Sequence, residues 1–262
     1  MAGIRQLTTR KTISSSNKAL TNQDQWLLDL FDEYLTEEQH PSRPWCFFPS
    51  LLGSVCDKNL YLAYRGMLSP STIYSYTRRI FDNGSYLEDR MNSYFEKMGI
   101  VKDRELPLKC DDPPISGRAD FLLSHPLYDE VLLELKSIND KGFKNLRGKP
   151  KKEHMVQIQI YLHLADMDHG IVLYENKNDQ HIKAFAVDRD PKMWDTIQKR
   201  CKKIQELEIM PETCTGPPWC PCKDYKEVEE EYDGEMEYYE SIGESELKGS
   251  RVDDPTFSGG FE

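Results

Sequence analysis

Apolar residues recur every three or four positions in "NQDQWLLDLFDEYLTEE", where Trp26, Leu27, Leu30, Phe31 and Leu35 share one side. A helix is therefore expected from Asn22 until "PSRP" stops it. A second helix is expected over "PSLLGSVCDKNLYLAYRG", and a third from just after "SPS" to about Phe81. A fourth begins near Ser85, with Leu87, Met91, Tyr94, Phe95 and Met98 as its apolar stripe. The period then changes, and "LPLKC", "RADFLLS" and "EVLLELKS" read as short strands separated by turn residues. A basic loop follows, "KGFKNLRGKPKK", then a helix from about Glu153 to Met167. The strands "GIVLYEN" and "IKAFAVD", joined by "KNDQ", lead to a helix from Pro191 to about Leu207. Helices, a three-strand meander, a crossover helix, two strands and a closing helix make a mixed α/β fold.

This reading divides the chain into four stretches. Residues 1–21 form a polar, flexible arm, and residues 22–100 a helical region packed on the core. Residues 101–225 hold the α/β core and a C-terminal cysteine cluster, and residues 226–262 form an acidic tail expected to be disordered. The net charge of −11 belongs to the C-terminal end, where Asp224 to Glu262 carry 14 acidic and 3 basic residues. The rest of the chain holds 31 of each sign, so a nucleic-acid partner is not excluded by overall charge. The tail reads as a solubilising segment, or as a nucleic-acid mimic or strip that engages a protein partner. No apolar run is long enough to cross a bilayer and no charged-then-apolar leader is visible, so a soluble, cytoplasmic protein without membrane contact is expected. Seven cysteines without an export signal argue against a disulfide framework, and their C-terminal clustering suggests metal chemistry.

Candidate chemistry lies in "GRADFLLSHPLYDEVLLELKS". Asp120 heads one apolar run, and the next closes on Glu134, Leu135 and Lys136. Residues i and i+2 of a strand share a face, so Glu134 and Lys136 point together and Leu135 points away. A hairpin partner strand can bring Asp120 beside them. Two adjacent carboxylates repel, and a hard divalent cation relieves that repulsion through their oxygens. A lysine beside such a cation can steer water or stabilise charge on a phosphate, which is equipment for phosphodiester hydrolysis. Taken alone, E-x-K reads first as a cross-strand ion pair on an exposed sheet face, and only its neighbours change that.

"GRADFLL", "YDEVLLELKS" and "HMVQIQIYLHL", in that order, resemble the PD-(D/E)XK nuclease superfamily, specifically its RecB-like branch. The resemblance implies a restriction-endonuclease-like core, a mixed central sheet flanked by helices, with an N-terminal helical region. It matches Gly117 and Asp120, then Glu134 and Lys136, then Gln157 and Tyr161 on one face of a helix. Gln159 in the same stretch reads as an ordinary exposed residue. On this likeness Asp120, Glu134 and the Leu135 carbonyl hold Mg²⁺ or Mn²⁺, Lys136 positions the water, and Gln157 and Tyr161 orient Lys136 or the DNA. The branch usually carries a histidine ligand in G-x-x-x-H; here Gly84 is followed by Glu88, which offers an oxygen instead. Ser85-x-x-Glu88 also reads as a capping box.

Cys56 with Cys214, Cys220 and Cys222 is similar to the one-plus-three cysteine arrangement of iron–sulfur RecB-like nucleases, as in CRISPR-associated adaptation and phage exonucleases. A [4Fe–4S] cluster is implied, although C-x₅-C-x-C departs from the familiar spacing and leaves zinc as the alternative. Lys141, Lys144, Arg147, Lys149, Lys151 and Lys152, with Arg78, Arg79 and Arg118, read as a phosphate track, and Phe143 as a stacking platform for a base, a solvated basic loop being the alternative. The implied function is a metal-dependent deoxyribonuclease, an exonuclease on DNA ends or single strands, serving recombination, repair or replication, inside a host cell if phage-encoded. A DNA-end-binding or assembly subunit that keeps the fold is the alternative, and a zinc-stabilised interaction module a third.

Overall fold

The computed structural model describes residues 22–39, 43–68, 70–216, 220–223 and 225. The expected arm over residues 1–21 and the acidic tail from residue 226 onward lie outside the described residues. The first helix, α1, covers Asn22–Leu35, as its apolar spacing predicts. It is followed by β1 (Glu37–Gln39), α2 (Pro49–Ser54), α3 (Asp57–Tyr64), β2 (Ser71–Ile73) and α4 (Ser75–Met98). The strands β3 (Val101–Asp111), β4 (Pro114–His125) and β5 (Asp129–Ile138) form the meander. Then come α5 (Asp140–Lys144), α6 (Lys152–Leu164), β6 (His169–Asn176), β7 (Ile182–Asp188), α7 (Pro191–Glu206) and a single 3-10 turn, Pro221–Lys223.

The fold is α/β, a five-stranded mixed sheet flanked by helices. Its order is β3-β4-β5-β6-β7, with β5 and β6 parallel and every other neighbouring pair antiparallel. The parallel step requires a crossover, and α6 makes it. One sheet face packs Phe121, Leu123, Leu133 and Leu135 against Leu87, Met91 and Phe95 of α4. The other packs Ala119, Leu132 and Val172 against Ile158, Tyr161 and Leu162 of α6. Outside α6, a further apolar layer joins Leu52 and Leu60 of α2 and α3 to Ile197, Cys201 and Ile204 of α7. This sandwiched position explains why six consecutive α6 residues, Gln157 to Leu162, are all buried.

Three expectations change here. The third and fourth helices are one continuous α4 through Gly84, where an added Cβ would meet nothing within 4 Å. A single mid-helix glycine costs about 1 kcal/mol against alanine, less than the buried Leu87, Met91 and Phe95 return. The second helix, conversely, is two: α2 ends before Val55, and Cys56 is the extended N-cap of α3, its sulfur accepting from the Asn59 N–H. Gln159, read as exposed, is 2% exposed, because its amide donates to the Asp188 carbonyl and accepts from the Asp190 N–H at the start of α7. Among the described residues, no helix is long and apolar enough to cross a membrane.

Candidate active site

Asp120 lies where the regular ladders around β4 give way. Gly117 and Ala119 face α6, whereas Phe121 and Leu123 face α4, so the alternation of the strand switches at Asp120. Opposite this switch in β3, Glu105 has φ 51, a left-handed conformation uncommon outside glycine. The β4–β5 pairing stops at Phe121 and Leu133. Beyond it the Leu135 N–H donates to Asp120 Oδ2 at 2.6 Å instead of to a backbone carbonyl. One carboxylate oxygen is thereby fixed in place on the neighbouring strand.

Glu134 stands on β5 between Leu133 and Leu135, whose side chains belong to the α4-facing core. Its carboxylate therefore turns to the opposite face and is fully buried. Lys136 Nζ forms an ion pair with Glu134 Oε1, yet neither Glu134 oxygen receives a well-directed hydrogen bond among the described residues. Burial, reinforced by the Asp120 charge and opposed by Lys136, pushes the Glu134 carboxyl up to about 8. Burial also pushes Asp120 up to about 6, against the pull of Lys136 and the Leu135 N–H. For Lys136 burial acts downward, but the Glu134 and Asp120 charges outweigh it and raise its value. Two carboxyls held toward protonation by desolvation are suited to exchange protons for a cation.

Gln157 and Tyr161 project from one face of α6, and the Gln157 amide donates to the Tyr161 hydroxyl at 3.3 Å. Burial and the nearby Glu134 charge raise Tyr161 well above its ordinary value, so the phenol stays protonated beside the acidic pair. Gly117 is explained by the same contact. A Cβ there would lie 2.9 Å from Pro49 and 3.0 Å from Cε1 of Tyr161, so only glycine admits both neighbours. One turn before Gln157, His154 bonds through Nδ1 to the Tyr174 hydroxyl at 2.7 Å. That hydroxyl also accepts from the Lys151 N–H, and the His154 value is driven down to about 3 by burial and by Lys136 and Lys151. His154 is neutral there and ties the basic segment to the sheet.

Glu88 sits in the interior of α4, so the capping-box reading is removed. Its charge reaches Asp120 and Glu134, but its carboxylate pairs with Arg104 at 3.2 Å, and Arg104 also holds Asp89 at 2.6 Å. No pattern in "VKDRELPLKC" singles out Arg104 as the residue that restrains Glu88. Glu88, Asp120 and Glu134 do not form a tight ligand set here; among the described residues only cysteines do.

The basic segment is partly helical, since Asn139 caps α5 by accepting from the Gly142 N–H. Phe143, expected as a base-stacking platform, is 8% exposed and belongs to the core. Lys183 lies 4.4 Å over its ring and donates to its carbonyl, so Phe143 has no free face to offer a base. Lys141, Arg147, Lys149 and Lys152 are exposed. Lys144 pairs with Asp140 at 2.7 Å, Lys151 approaches Glu153 at 3.9 Å, and Arg118 pairs with Glu105 at 3.3 Å.

Cys56, Cys214, Cys220 and Cys222 converge. Cys56 Sγ lies 3.8, 3.6 and 3.4 Å from the other three, and Cys220 and Cys222 are 3.4 Å apart. Cys46 is not in the set; its thiol points to the Phe47 carbonyl. Cys201 is buried in the α7 layer, where desolvation pushes it up to about 12.

No family model matches the chain. Among curated proteins, the probable chemoreceptor glutamine deamidase CheD 1 of Leptospira interrogans is 32% identical over 128 residues, 45% of this chain and 68% of that protein. That likeness is weak and unrelated to the site described above. Among solved structures, SSO0001 is similar at 18% identity, with 74% of this chain and 89% of that one covered and a TM-score of 0.46. An alkaline exonuclease of Laribacter hongkongensis is similar at 15% identity over 68% of this chain and 90% of its own, with a TM-score of 0.45. A phage-related exonuclease of Haemophilus somnus follows at 17% identity, 48% and 69% coverage and a TM-score of 0.36.

Proposed function

We propose that this chain is a cation-dependent deoxyribonuclease, an exonuclease that works from DNA ends or on single strands. The observation that carries the reading is the Glu134 carboxylate, fully buried with neither oxygen well hydrogen-bonded, beside an Asp120 that commits only one oxygen to the backbone. Lys136 pairs with one Glu134 oxygen, yet burial and the neighbouring carboxyl still hold Glu134 and Asp120 toward protonation, and a bound cation would supply the further positive charge that lets both ionise. The donor set, carboxylate oxygens with the adjacent Leu135 carbonyl, suits Mg²⁺ or Mn²⁺. Asp120, Glu134 and Leu135 would hold that cation, and Glu88 would join once Arg104 lets it go. When bound, the cation supplies Lewis acidity toward a phosphate and its water.

The chain's own groups then have separate tasks. Lys136 stays an ammonium on the same face as Glu134, placed to steer a water or to offset charge on a phosphate oxygen. Tyr161, kept protonated, and Gln157, bonded to it, would orient Lys136 or offer donors to the DNA strand. Exposed Lys141, Arg147, Lys149 and Lys152 follow β5 in the chain and would carry the phosphate backbone past it. A DNA-end-binding subunit is the second reading, favoured by the Arg104 pair that occupies Glu88.

The test compares linear and circular DNA, single- and double-stranded, with Mg²⁺ or Mn²⁺. An end-dependent enzyme degrades the linear forms to short products and spares intact circles. Cutting of closed circles would replace the exonuclease reading with an endonuclease, and binding without any cutting would favour the second reading.

A further inference from the structure

The four converging thiols are spaced for a single ion. With metal–sulfur bonds of about 2.3 Å in a tetrahedron, sulfur atoms must lie about 3.8 Å apart. Here the sulfurs stand 3.4 to 3.8 Å from Cys56, and all four lie within 4.8 Å of one another. A four-iron cube binds each thiolate at a different corner, pointing outward from four irons and four sulfides, so its thiolates stand farther apart than those sharing one ion. A two-iron core parts its thiolates into two separated pairs. A set gathered this tightly leaves room for neither core, so the [4Fe–4S] cluster implied by the sequence resemblance does not fit.

The surroundings hold the set at this size. Cys56, Cys220 and Cys222 are buried, and the Cys56 sulfur is fixed as the N-cap of α3 by the Asn59 N–H. An added Cβ at Gly216 would lie 2.9 Å from Cys220 Sγ and 3.4 Å from Cys56 Cβ, so the strand of chain carrying Cys214 passes directly over the sulfurs. Four protein thiolates complete a tetrahedral shell by themselves, as in a structural site. We propose that Cys56, Cys214, Cys220 and Cys222 bind one tetrahedral zinc ion. Four thiolate sulfurs in that geometry suit zinc in softness and shape. The ion ties α3 to a segment 158 to 166 residues later in the chain. It reinforces the docking already made by Arg200, which donates to the Leu52 and Val55 carbonyls. Its task is to clamp the C-terminal segment, with no part in hydrolysis.

The full-length protein, purified without oxygen, tests this by elemental analysis, acid-labile sulfide assay and native mass spectrometry. One zinc per chain, no labile sulfide and no colour are expected, and anaerobic supply of iron and sulfide should build no cluster. Brown protein with iron and labile sulfide in near-equal amounts overturns the proposal, as does a single iron, or a metal-free chain whose four thiols all alkylate. Because Cys56→Ser stands to prevent folding, Gly216→Ala is the second variant. Its Cβ presses on Cys220, so release of zinc to a competing chelator should be roughly tenfold faster with unchanged far-ultraviolet dichroism. Release at the wild-type rate would count against these thiols as the ligands.

Discussion

Glu134 and Asp120 should set the pH response of the metal-free chain. Both have folded values above their unfolded ones, about 8 and about 6 against ordinary values of 4.5 and 3.8. The stability gained from keeping them protonated is complete below about pH 4 and is lost as pH rises through 6 and 8. The melting temperature should therefore fall over that window, and Glu134→Gln should recover on the order of a few kcal/mol at pH 8. Mn²⁺ should raise the wild-type melting temperature at pH 8 and leave that of Glu134→Gln nearly unchanged; a flat, metal-insensitive profile would refute the shifted carboxyls. Glu88→Gln tests a different residue of the same site. Its Arg104 partner is partly exposed, so the lost pair is worth at most about 1 kcal/mol. The expected effect is a several-fold higher Mg²⁺ requirement at nearly constant melting temperature. An unchanged requirement would remove Glu88 from the ligand set. At this scale the pairing of Glu134 with Lys136 was legible, because strand alternation alone puts them on one face. Arg104 was not legible, since nothing local marks which basic residue of a charged strand will reach back to a helix.

Elements place these residues, and one glycine shows how tightly. Gly117→Ala would press a methyl against Pro49 and the Tyr161 ring, so β4, α2 and α6 must part. A loss of about 1 to 3 kcal/mol is expected from such overpacking. Cleavage per folded molecule should also fall, because Tyr161 shifts relative to Glu134. Wild-type melting and cleavage together would show that this contact is not needed. The order of the main helices and of the five-strand sheet was readable from periodicity, but the short β1, β2 and α5 and the junctions were not. The stop between α2 and α3 comes from Cys56 turning extended, a local choice that an unbroken apolar pattern hides. Gly84 failed to break α4 because burial farther along outweighs its propensity. Phe143 looked like a platform because it stands among lysines. Its burial depends on tertiary packing against the sheet and on Lys183, which lies 40 residues away in sequence.

For the molecule as a whole, charge is divided along the chain. The residues from Asp224 onward carry 14 acidic and 3 basic residues, and the remainder is balanced. A chain ending at Tyr225 should bind DNA more tightly than the full chain at low ionic strength. The two should converge as salt rises, because the tail acts through screened charge. Equal affinities at low salt would free the tail for another task, such as holding a protein partner. The central claim, that the buried carboxylates form a cation-dependent phosphodiesterase site, is tested most directly by end-labelled linear DNA. Wild type and Glu134→Gln are compared with Mg²⁺, Mn²⁺ or EDTA, with DNA binding measured alongside. Degradation by wild type with either cation is expected, none with EDTA, and a loss on the order of 10³-fold or more in Glu134→Gln with binding retained. Degradation by Glu134→Gln at a near wild-type rate, or by wild type in EDTA, would contradict the account.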